Sequence, residues 1–62
     1  MKYTESEYFE QGYRYERSQN FAKSKALGAQ IRRMLESEEI SERGEARRLL
    51  ELGRQEGRLT PH

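Results

Sequence analysis

The sequence predicts a small all-α domain, a three-helix unit whose second and third helices form an antiparallel hairpin. Three observations carry that prediction. All eleven acidic residues of the 62-residue chain are glutamate; glutamate is tolerated inside helices, whereas aspartate competes there for backbone hydrogen bonds. Strand formers are scarce, with no Val or Trp and only Thr4, Ile31, Ile40 and Thr60 branched at Cβ. Apolar residues recur at helical spacing in three segments, separated by short Ser-, Asn- and Glu-rich stretches.

The first helix is expected to begin at Thr4, whose hydroxyl can cap the helix while Glu7 reaches back in a capping box. Advancing about 100° per residue from Tyr8 gathers Tyr8, Phe9, Gly12, Tyr13 and Tyr15 into an arc of roughly 160°. Glu7, Glu10, Arg14 and Arg17 fall on the other side. Phe9 and part of the tyrosine set are read as core. Gly12 sits within the apolar arc, where a missing side chain admits a neighbouring backbone. Ser18-Gln19-Asn20 reads as a turn that caps the next helix.

The second helix is predicted from Phe21 to Ser37, with Phe21, Leu27, Gly28, Ile31, Met34 and Leu35 on its apolar face. One continuous helix over 21–57 would carry Glu38, Ser41, Glu42 and Glu45 along its apolar seam, so a bend is expected there. Ser41 is the predicted N-cap of the third helix, with Glu42 and Glu45 near the positive end of its dipole. That helix is expected from Glu42 to Gly57, facing inward with Ala46, Leu49, Leu50 and Gly53 and ended by Gly57. Residues 1–57 then make one domain and 58–62 a short tail. Gly53 and Gly57 have the spacing of a membrane-helix dimer motif but lack its apolar setting, and no membrane signal is read from them.

Composition narrows the function. No cysteine is present, which removes disulfides, thiolate metal sites and cysteine nucleophiles. A cytoplasmic location is expected, because small secreted domains usually rely on such crosslinks. No signal peptide and no membrane span are read from the chain. His62 is the single histidine and is expected on a mobile terminus, so no histidine base is held beside a nucleophile. No phosphate loop is present, and the acidic run Glu36–Glu45 reads as a solvated turn, since calcium loops rely on aspartate. The chain is therefore expected to be non-enzymatic, without cofactor or metal. Its thin apolar inventory makes a homodimer or a bound partner a reasonable expectation for so short a chain.

Two surfaces are candidates for binding. The tyrosines of the N-terminal region, Tyr3, Tyr8, Tyr13 and Tyr15, would serve as protein-interface anchors wherever they remain exposed. Arg43, Arg47, Arg54 and Arg58 fall within about 60° on a helical wheel and form one basic line. With Lys25, Arg32 and Arg33 they would suit phosphate oxygens. Ile40-Ser41-Glu42-Arg43 resembles the turn into a recognition helix, but Glu42 and Glu45 at the would-be reading end would meet phosphates, which argues against groove reading. The leading expectation is a protein-interaction module, a regulator, inhibitor or adaptor. Nucleic-acid binding through the arginine line is the alternative.

Overall fold

The structure is a computed structural model that describes residues 1–61; the reading of His62 falls outside them. Three helices and no strand are present among the described residues: α1 (Glu5–Arg17), α2 (Phe21–Glu36) and α3 (Ile40–Leu59). No helix is long and apolar enough to cross a membrane. The first two starts follow the local chemistry. Thr4 Oγ1 accepts the Glu7 N–H at 3.1 Å, and the Glu7 carboxylate accepts the Thr4 N–H at 3.3 Å, closing the capping box. Asn20 Oδ1 accepts the Lys23 N–H at 2.8 Å and caps α2.

The ends of α3 differ from expectation, each for a physical reason. Its N-cap is Glu39, which makes no side-chain capping bond, and Ser41 lies inside the first turn. Glu38 is drawn inward just before it, and the Glu42 N–H bonds to the Glu39 carbonyl at 2.9 Å, so helical winding has already begun before Ser41. At the other end α3 passes Gly57 and stops at Leu59. Gly57 is buried against α1, where its lack of a side chain serves packing rather than termination. The Arg17 guanidinium donates to Thr60 O at 2.7 Å, satisfying the C-cap carbonyl that the helix end leaves unpaired, and to Pro61 O just beyond it at 3.2 Å.

The dominant helix pair is α1 with α3, while α2 touches each of them only slightly. Contacts advance in the same direction along both partners, from Gly12 beside Leu50 to Arg17 beside Thr60, so α1 and α3 run parallel. The glycines explain the closeness. A Cβ added at Gly12 would lie 2.9 Å from the Leu50 carbonyl carbon and overlap its oxygen. One added at Gly53 would lie 2.8 Å from the Phe9 carbonyl carbon and overlap that oxygen. Leu50 is three residues before Gly53, and Phe9 three before Gly12, so the contact is reciprocal. Each glycine points a Cα–H at the other helix's carbonyl, a weak but recurring interaction between closely packed helices. The Gly53–Gly57 spacing thus does within one chain, in water, what it is better known for in lipid.

Backbone contact at this crossing displaces side chains from it. Phe9, read as core, presents its carbonyl to Gly53 and remains 38% exposed. The core lies at the N-terminal end of the α1–α3 pair and consists of Tyr8, Met34, Ala46, Leu49 and Leu50, with Tyr3, Ile31 and Leu35 packed against it. Tyr3 and Tyr8 meet edge to face with ring centroids 5.9 Å apart. Met34 is the only buried residue of α2. The second helix is therefore pinned at its C-terminal end, and the rest of its apolar face is only partly covered.

Candidate functional site

An open groove of about 850 Å³ lies between α2 and α3. Its floor is aliphatic, made by Ile31 and Leu35 from α2 and Leu50 from α3, with Gly28 and Ala29 keeping the α2 wall low. Tyr15 and Phe21 line it together with Ser24. Phe21 is 82% exposed, so little of its ring is used in folding. The groove arises because the close glycine contact draws α3 toward α1, leaving α2 to cover only part of the apolar surface.

Charge on this groove is strongly one-sided. Lys25 and Arg32 stand on α2, Arg47 and Arg54 on α3, against the single carboxylate of Glu51. Lys25, Arg32 and Arg47 have no carboxylate within ion-pair distance among the described residues. Arg54 bonds Glu16 at 3.1 Å, approaches Glu51 at 3.9 Å, and lies over the Tyr15 ring at 5.3 Å from its centroid. Tyr15 is thereby held half-buried in the wall, with a cation stacked on its face.

The basic line predicted along α3 is thus divided by its partners. Arg43 turns back to donate to Glu38 O and Glu36 O, both at 3.2 Å, and closes the C-terminal end of α2. Arg58 sits between Glu16 at 3.4 Å and Glu51 at 3.1 Å; the bond to Glu51 is the first cause that raises its pKa above the ordinary value. Arg33 is exposed but lies outside the groove lining. Of seven basic candidates, the structure brings together Lys25, Arg32, Arg47 and Arg54.

The four tyrosines separate as well. Tyr8 is fully buried and has no surface to offer a partner. Tyr3 is half-buried beside it, and Tyr13 lies under the Arg17 guanidinium at 5.7 Å. Only Tyr15 belongs to the groove.

Sequence reasoning missed Glu38. It is 4% exposed and accepts three bonds: the Tyr8 hydroxyl at 2.5 Å, the Lys2 N–H at 2.7 Å and the Tyr3 N–H at 3.2 Å. Burial alone would raise its pKa, but the Tyr8 bond, the two backbone bonds and the N-terminal ammonium outweigh it and leave it below the ordinary carboxylate value. Burial first, and the bond to Glu38 second, push the Tyr8 phenol well above its usual value. This pair ties the N-terminal segment to the α2–α3 connection. The only advance signal was a glutamate within an acidic turn.

No group of three or more potential metal ligands is found among the described residues. The hydrogen-bonded pair Tyr8 and Glu38 is enclosed in the core and is not part of the groove. No protein-family model, curated protein or solved structure matches this chain.

Proposed function

We propose that this protein is a non-enzymatic interaction module that binds a protein partner in the groove between α2 and α3. In this reading the two helices act as the arms of an antiparallel hairpin, and the partner completes the cover that α1 does not supply. One observation supports it above all: an aliphatic floor and the almost fully exposed Phe21 lie together in one concave surface. Apolar area left open in a chain with so small a core favours association, because its burial contributes roughly 25 cal/mol per Å². Recognition by a groove of this kind is a familiar mode for helical modules. Such a module would act as a regulator, inhibitor or adaptor by occupying its partner.

The test uses a variant that fills the groove without disturbing the core. A Cβ at Gly28 meets only the edge of the Tyr15 ring at 3.5 Å, ordinary contact distance. Gly28→Leu should therefore fold and place a side chain in the groove. Immobilised wild-type and Gly28→Leu proteins are compared for capture from nuclease-treated lysate at physiological salt. A stoichiometric protein held by the wild type and lost by the variant is the expected result. Equal capture by both would overturn the assignment to the groove.

The second reading, nucleic-acid binding, is favoured by the three unpaired cations Lys25, Arg32 and Arg47. Phosphate-driven binding weakens steeply with salt, whereas an apolar interface responds little. Retention of nucleic acid at low salt, lost at high salt and lost in Arg47→Glu, would support it over the protein reading.

A further inference from the structure

We infer that the occupant of the groove is an acidic amphipathic helix of another protein; this rests on the reading of the groove as a protein-binding surface. Charge complementarity around an apolar floor selects this occupant. Lys25 and Arg32 are seven residues apart on α2, and Arg47 and Arg54 are seven apart on α3. Seven residues are two helical turns, about 10.5 Å along the axis. Each wall therefore carries two cations at the same two-turn separation, the α3 pair with Glu51 between its two arginines, and Ile31, Leu35 and Leu50 lie between the walls.

A helix laid along this floor presents apolar side chains at i, i+3 or i+4, and i+7 on one stripe, with flanking positions on either side also repeating at seven. Glutamates at those flanking positions would stand opposite the cations of both walls. Three of these cations have no internal partner among the described residues, so they can pair without breaking an existing bridge. Tyr15 and Phe21 would close over an apolar residue of the occupant.

The other occupants fit less well. A second copy docked groove to groove about a two-fold axis would set these four cations against their own images, and like charges opposed at an interface weaken it. A nucleic-acid backbone would use the cations but leave Ile31, Leu35 and Leu50 facing phosphate and sugar.

The test titrates labelled 20-residue helical peptides into the protein, with anisotropy read for affinity and amide shifts read for location. One peptide carries a Leu stripe flanked by Glu. Two others have the same Leu stripe with Gln or Lys in place of Glu, a fourth is a scramble of the first, and a single-stranded oligonucleotide is the non-protein probe. The Glu peptide is expected to bind about tenfold or more tighter than the Gln peptide, to outdo the Lys peptide and scramble by more, and to shift the amides of residues 25–32 and 47–54. The double variant Arg32→Glu, Arg47→Glu touches two exposed side chains without internal bonds, and should reverse the preference toward the Lys peptide. Equal binding of Glu and Gln peptides in the groove would overturn the acidic occupant while leaving the groove as a protein site. Tighter binding of the oligonucleotide, or shifts confined to residues outside the groove, would overturn both. A wild-type dimer that Gly28→Leu dissociates in sedimentation would assign the groove to a second copy instead.

Discussion

Replacing Gly53 by Ala adds one methyl group where α3 meets α1, and the structure fixes both the sign and the scale of its effect. The new Cβ would overlap the Phe9 carbonyl oxygen and lie 3.0 Å from the Tyr13 nitrogen. These are backbone atoms of a helix, so they cannot rotate aside and the helices must separate. Overpacking of this kind costs about 1–3 kcal/mol, with backbone obstruction toward the upper end. Alanine returns up to ~1 kcal/mol through its better helix propensity. The net is a loss of roughly 1–2 kcal/mol, or about 5–15 °C in Tm for a domain of this size. Gly44 supplies the internal control. It is exposed on the same helix, and a Cβ there meets nothing within 4 Å. Gly44→Ala should therefore stabilise by about 0.5–1 kcal/mol. Urea unfolding followed by circular dichroism measures both variants under one protocol. If Gly53→Ala stabilised the protein as Gly44→Ala does, the close α1–α3 contact and the parallel pairing built on it would be refuted.

Further outcomes follow from the same structure. Tyr8→Phe removes the hydroxyl that reaches Glu38 and should cost about 1.5–3 kcal/mol in urea unfolding, the range for a hydrogen bond to a charged group; a neutral result would mean that bond contributes nothing. Because the folded pKa of Glu38 is depressed, its contribution is complete above the ordinary carboxyl value of 4.5 and is lost as pH falls through the lower folded value. Unfolding midpoints recorded from pH 7 to pH 2 should fall in that window, and the fall should be smaller in Glu38→Gln. Tyr8 works in the opposite sense: its folded pKa is raised, so stability should decline as pH rises above the ordinary phenol value of 10.0, and Tyr8→Phe should flatten that alkaline limb. Phe21→Ser should leave the unfolding free energy within about 0.5 kcal/mol, since the residue is 82% exposed, while weakening capture of the partner.

Much of the local structure was legible because it is written in short-range chemistry. Thr4 with Glu7, and Asn20 with Lys23, name their helix starts through bonds spanning three residues. The aspartate-free acid set and the missing valines named the class. What the sequence withheld was tertiary. Gly12 was legible as a place for close approach, but not the helix that would approach it. Gly57 read as a terminator because a glycine near a helix end has two uses, and only the partner backbone decides between them. Glu38 looked like one solvated acid in a run of them until Tyr8, 30 residues away, was placed beside it. The arginine line was correct as a periodicity. Which arginines remain free depends on Glu16 from α1 and on the carbonyls ending α2, which no helical wheel contains.

The central claim is that a protein partner lies in the α2–α3 groove, and an amide shift map of the protein with its captured partner tests it most directly. The largest shifts are expected at Lys25, Gly28, Arg32, Arg47 and Arg54, with α1 outside Tyr15 little changed. Shifts centred instead on the exposed Phe9, Leu52 and Leu59, which lie outside the groove, would contradict it.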